Sequence, residues 1–167
     1  DEAGKILSNC GPSRPATETG GKPETMIVES AEGADSALVV KAACKGPRAI
    51  TSLRVKLDPP LSLNDRDAAR ALTIEARWDG ESSPSVWAPF GDFFGTAPGA
   101  HPYRSLPCGL TEDGWWYAHW YMPFAKGAEI TIRNDGTQRR KARLEIETVP
   151  VKDAAKLARF HAKWHRD

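Results

Sequence analysis

The stretch ARALTIEARW, residues 69–78, reads as one strand of alternating apolar and polar side chains: Leu72, Ile74, Ala76 and Trp78 share one face, and Thr73, Glu75 and Arg77 share the other. A period of two marks a half-buried strand, because a helix would scatter those four apolar residues around its axis. The same kind of short run recurs along the chain as TMIVES, SALVVKAA, RAITSLRVKL, SVWAPF, GWWYAHWYMPF, AEITIRN and RKARLEIETV, with Gly, Pro, Asn or Asp between them. About eight such strands with short connections and no helix between them predict an all-β fold, an antiparallel β-sandwich or jelly roll. Asn134-Asp135-Gly136 predicts a hairpin turn that joins AEITIRN to RKARLEIETV, with Ile130, Ile132, Leu144 and Ile146 on its apolar face.

Only the ends depart from this pattern. Residues 1–24 are rich in Gly, Pro, Ser, Thr and charge, which predicts an extended N-terminal arm. Residues 25–150 form the jelly roll. Residues 151–167 predict a C-terminal α-helix: Asp153 supplies a cap, and Ala154, Leu157, Phe160 or His161, and Trp164 recur at helical spacing. A start at Asp1 without Met is expected of a processed or excised piece that lacks a leader or further domains, with a secreted or periplasmic location.

With 23 Lys plus Arg against 22 Asp plus Glu in 167 residues, the chain has no basic face on which nucleic acid or an anionic membrane could be held. No run approaches the roughly 20 apolar residues of a membrane-spanning helix. Cys10, Cys44 and Cys108 lack the paired spacing of a zinc or redox site and read as free thiols, with a Cys10–Cys44 bridge open in an oxidising compartment. His101 and His119 have no partner at metal-ligand spacing, and His161 with His165 lacks a third ligand, so no metal is expected. Neither a nucleophile elbow nor a phosphate-binding or dinucleotide fingerprint occurs, so no cofactor is expected.

Recognition is expected where the aromatic residues gather. Twelve of the fourteen lie between Trp78 and Phe124. In GWWYAHWYMPF, strict alternation places Trp116, Ala118, Trp120 and Met122 on one face and Trp115, Tyr117, His119 and Tyr121 on the other. One row fits a core, and the second predicts exposed rings that meet a sugar, a small ligand or a neighbouring subunit. Asp92 follows Gly91 where the backbone can approach another group closely, and reads either as a turn residue or as a carboxylate aimed into a cleft. Glu81, Glu112 and Asp113 read as solvated turn charges.

The motifs RWDGESSPSVWAPFGDFFG, YRSLPCG, YMPF and ARFHAKWHRD together resemble those of glycoside hydrolase family 172, also known as domain-of-unknown-function family 2961. The resemblance covers roughly residues 46–167 and implies the first of two consecutive jelly rolls. It also implies a homo-oligomer, a trimer or a multiple of it, with active sites where protomers meet. The implied activity is hydrolysis of furanosides: α-D-fructofuranosides, difructose dianhydrides or D-arabinofuranosides. In the family the catalytic glutamates belong to the second jelly roll, in a motif with Glu-Asp before Tyr-Phe; the comparable place here reads Gly91-Asp92-Phe93-Phe94. Asp92 is therefore the one catalytic candidate, and Phe93, Phe94, Trp115, Tyr117 and His119 are the substrate-binding candidates. Retaining chemistry needs two carboxyl groups about 5 Å apart, and no such pair can be nominated, so the isolated chain is expected to lack activity. The competing expectation is a non-catalytic jelly roll that builds an oligomer or binds carbohydrate.

Overall fold

The computed structural model describes residues 21–31, 37–65 and 67–165. Two sheets face one another. The larger contains β1 (Glu24–Glu29), β3 (Arg48–Asp58), β6 (Tyr103–Arg104), β7 (Cys108–Leu110), β8 (Trp115–Ala118), β9 (Met122–Phe124) and β11 (Lys141–Pro150). Its order is β1-β11-β3-β8-β7-β6, and β9 pairs with β3 beyond the end of β8. The smaller sheet contains β2 (Leu38–Lys45), β4 (Leu72–Trp78), β5 (Val86–Pro89), β10 (Gly127–Asn134) and β12 (Ala162–Lys163), in the order β12-β5-β4-β10-β2. Every pairing is antiparallel except that of β12 with β5. The predicted β-sandwich is the observed fold, built from more and shorter strands than the sequence runs suggest.

Alternation creates the core. Ile74 and Ala76 of β4 pair with Ile132 and Ile130 of β10, and they face Leu53, Val55, Leu144 and Ile146 from the larger sheet; all eight are buried. In RAITSLRVKL the apolar positions slip from even to odd between Ile50 and Leu53, yet both are buried. The cause is a β-bulge: Ser52 pairs with Glu147 and Ile50 with Thr148, which leaves Thr51 as the extra residue. The Thr51 hydroxyl donates to Glu147 Oε1 at 2.8 Å.

Three local expectations are corrected. Asn134-Asp135-Gly136 does not close a hairpin, because β10 belongs to the smaller sheet and β11 to the larger. Asn134 Oδ1 instead accepts from the Gly136 N–H (3.0 Å), and Asn134 Nδ2 donates to Gln138 O (2.9 Å), so the turn carries the chain across the sandwich. Ile130 and Ile132 consequently meet Leu144 and Ile146 across the core rather than within one ribbon. Strand β4 starts at Leu72, since Ala68–Ala71 form a single helical turn, α1, and SVWAPF stops at Pro89, with Phe90–Phe93 forming a second turn, α2.

The predicted C-terminal α-helix is the third correction. After one 3-10 turn at Ala154–Lys156 the chain becomes an extended strap along the edge of β5. Phe160 O accepts from Trp78 Nε1 (2.7 Å), the Ala162 N–H donates to Ser85 O (3.2 Å), and the Trp164 N–H donates to Trp87 O (2.9 Å). An open sheet edge offers backbone partners that local helical spacing cannot reveal, and covering it also removes a site for unwanted pairing. The expected N-terminal arm falls within residues 1–20 for most of its length and lies outside the described residues; its end, Glu24, opens β1.

Candidate functional site

Asp92 sits in α2, which closes one end of the sandwich. Phe90 and Phe94 on either side of it point inward, with ring centroids 4.9 Å and 5.8 Å from Trp116 of β8, and Phe93 packs edge-on against Phe94 at 5.1 Å. Phe93 and Phe94 are both buried, so neither offers a free ring face. Asp92 Oδ1 meets Arg70 Nη2 of α1 at 3.5 Å, while its Oδ2 is enclosed without a hydrogen bond, as is the Thr96 hydroxyl. Gly91 permits the two helical turns to touch: a Cβ there would lie 3.1 Å from Ala69 Cβ.

Trp115 and Tyr117 occupy the opposite side of β8 from Trp116, on the outer face of the larger sheet. The predicted exposed row does not form there. Strand β8 ends at Ala118, and β9 resumes at Met122 on the other end of β3. Tyr117 is fully buried, because its ring lies over Gly109 of β7 and its hydroxyl donates to Ser105 O (3.0 Å) and accepts from the Ser105 N–H (3.1 Å). His119 stands 5.2 Å from the Tyr117 ring, and Tyr121 is exposed at 47 %.

Trp115 is half-buried, with the Arg54 guanidinium 4.4 Å and the Lys56 ammonium 5.7 Å from its ring centre. Cross-strand register sets this up, since Glu29, Arg143, Lys56 and Trp115 lie in one row across β1, β11, β3 and β8. Beside this row is a groove of about 550 Å³ whose walls include Lys56, Asp58, Asp113, Lys141 and the Glu29–Arg143 ion pair (3.0 Å). The Thr111 hydroxyl donates to Asp113 at 2.6 Å and is the main cause that holds this carboxyl below its usual range, with Lys56 and Arg54 adding to it. Donors and acceptors therefore line the groove in nearly equal number, beside an aromatic ring.

Four of the partly buried carboxylates meet a guanidinium: Glu75 with Arg77 (2.8 Å), Asp79 with Arg159 (2.6 Å), Glu145 with Arg54 (3.0 Å) and Asp92 with Arg70. At Asp79 the guanidinium helps to hold the carboxyl below its ordinary range, which is the reverse of what a general acid requires. Among the described residues no group of three or more His, Cys, Asp or Glu is arranged to hold a metal ion, and no helix is long and apolar enough to cross a membrane. Cys44 and Cys108 are buried free thiols, and burial pushes the Cys44 thiol up despite the opposing charge of Arg48; Cys10 lies outside the described residues.

Two organising residues were not singled out by sequence reasoning. Asp79, legible only as a turn, bonds through Oδ1 to the N–H groups of Ala125 and Lys126 and through Oδ2 to Arg159, and so joins three chain segments. Tyr103 donates from its hydroxyl to Phe94 O and lies 3.1 Å from Cys108 Sγ, with burial followed by the Cys108 contact raising its pKa. Gly95, at φ +76°, must be glycine beneath it.

Against known proteins, the model of the family described as GH172 domain-like matches residues 24–147. No curated protein matches the chain. Among solved structures, a chain of the cyanophage Pam1 capsid asymmetric unit is similar at 12 % identity, over 86 % of this chain and 96 % of that one, with a TM-score of 0.40. A chain of the acid-stable capsid of Helicobacter pylori bacteriophage KHP30 is similar at 5 % identity, over 77 % and 91 %, with a TM-score of 0.36. These two likenesses are too low to bear on function. The family match runs from the first residue of β1 to within three residues of the end of β11, and the chain belongs to the GH172 domain-like family, a family of glycoside hydrolase domains.

Proposed function

We propose that this domain supplies a sugar-contacting wall to a furanoside-processing glycoside hydrolase that works as a homo-oligomer, a trimer or a multiple of it, and that the catalytic carboxylates come from elsewhere in that assembly. The observation that carries the reading is the groove lined by Lys56, Lys141, Asp58 and Asp113, with the Trp115 ring next to its Lys56 wall. A sugar has an apolar ring face and hydroxyls that both donate and accept, so it needs this mixture of neighbours. Asp92 acts in this reading as a positioning residue that aims the exposed Arg70 guanidinium, and Phe93 and Phe94 act by fixing α2. Tyr117 and His119 support the wall from beneath.

Titration calorimetry with methyl α-D-arabinofuranoside and methyl α-D-fructofuranoside tests the binding role, and release of nitrophenol from the corresponding aryl furanosides tests for turnover. The expected result is furanoside binding without turnover by the isolated chain, weakened about tenfold in Trp115→Ala by loss of the ring contact. A Trp115→Ala protein with the parent's affinity and the parent's sedimentation mass would sink the proposed wall. The rival reading, a jelly roll that only builds an oligomer, expects no sugar binding and a fall in sedimentation mass.

A further inference from the structure

A second cavity adjoins the groove. It measures about 270 Å³, and its lining is chiefly apolar: Leu57, Leu61, Leu63, Ala100, Pro102 and Trp116 all contribute. Leu57, Pro60 and Gly114 line both spaces, so the two open on either side of one shared ridge at the same end of the sandwich. Gly114 keeps that ridge low: its φ is +87°, and no atom lies within 4 Å of the place a Cβ would take. Leu63 at the lip of the apolar cavity is 54 % exposed, a large apolar side chain left in water beside a hollow that matches it chemically.

We propose that the two cavities form one bipartite site for a glycoside with an apolar aglycone, with the sugar in the polar lobe and the aglycone in the apolar lobe. The sugar class rests on the furanoside reading above; the bipartite form rests only on the two linings and their shared ridge. The sizes suit the assignment, since a dry cavity of about 150 Å³ already admits benzene. The apolar lobe thus has room for one aromatic ring or a short alkyl chain. The polar lobe offers Lys56 and Lys141 as donors and Asp58 and Asp113 as acceptors to a ring's hydroxyls. Burying the aglycone also covers Leu63, which gives the contact a hydrophobic driving force that a methyl glycoside lacks.

Calorimetric titration of the full chain with three probes tests the proposal: methyl α-D-arabinofuranoside, phenyl α-D-arabinofuranoside and phenyl β-D-glucopyranoside. The phenyl furanoside is expected to bind about tenfold more tightly than the methyl one. Leu63→Ser, a surface change whose unfolding midpoint should match the parent, is expected to erase most of that difference, and Lys141→Ala to weaken both furanosides by a similar factor. Equal affinities for the phenyl and methyl furanosides, or no binding of any probe, would overturn the proposal. If the phenyl glucopyranoside binds as tightly as the phenyl furanoside and Leu63→Ser weakens both, the bipartite site stands and the furanoside reading falls.

Discussion

Asp79→Ala unfolds about 4 kcal/mol more easily than the parent chain in a urea titration, the largest loss expected from one polar side chain here. Asp79 Oδ1 accepts from the N–H groups of Ala125 and Lys126 at 2.9 and 2.6 Å, and Oδ2 binds Arg159 Nε and Nη2 at 2.7 and 2.6 Å. The alanine would strand a partly buried guanidinium and hold a Cβ-bearing residue at φ 56°, where aspartate and asparagine are better tolerated. Asp79→Asn keeps the backbone conformation and an acceptor and loses the charge, so about half the penalty is expected. Arg159 also donates to Ala154 O and Leu157 O, so both variants release the strap first. Amide exchange at Ala162 and Trp164 should quicken before exchange in β3 or β10.

The acid dependence follows from the same carboxylate. Burial alone would raise the Asp79 pKa, but the Lys126 N–H, the Arg159 guanidinium and the Gly127 N–H outweigh it, and the net direction is down. A folded pKa below the unfolded value, about 3.9, means stability that is present above that pH and lost as the pH falls through the depressed folded value. The parent should therefore lose its advantage over Asp79→Asn as the pH is lowered from about 6 to about 3. A difference that stays constant over that range would show that the charge contributes nothing.

Gly109→Ala is expected to cost about 3 kcal/mol, and the cause is purely steric. A Cβ at this position would sit 2.5 Å from the Tyr117 hydroxyl and 2.6 Å from both Tyr117 Cζ and the Tyr103 carbonyl oxygen. The tyrosine cannot swing away without giving up both of its bonds to Ser105. Tyr117→Leu in the same background should recover part of the loss, because two of the three close atoms disappear with the ring. A Gly109→Ala unfolding curve that superimposes on the parent's would mean that β6 and β7 move apart freely.

Much of the sandwich is legible in the sequence because strand alternation is a local property. Leu72, Ile74, Ala76 and Trp78 are all buried on one side of β4, as their spacing requires. The family-like motifs are equally local, and the match over residues 24–147 agrees with them. Contacts between distant segments are a different matter. Alternation assigned Tyr117 to an outward row correctly, but whether that row meets water depends on β6, β7 and the Ser105 carbonyl folding over it, and none of those is adjacent in sequence. The phase slip between Ile50 and Leu53 was visible as an irregularity, and only the partner strand β11 identifies it as a bulge at Thr51.

The sequence by itself determined the all-β class, the family and the inward faces of the main strands, since each is written in residue spacing over about ten positions or fewer. The tertiary structure alone decided that residues 157–165 run as a strap, that Asn134-Asp135-Gly136 crosses between sheets, and that Asp79 joins three segments. Backbone groups and charges find their partners by proximity in space, and those partners lie as far apart as Glu29 and Arg143, 114 residues along the chain. A helical period at the C-terminus lost to an open sheet edge because the edge of β5 could satisfy the same N–H groups and bury its own.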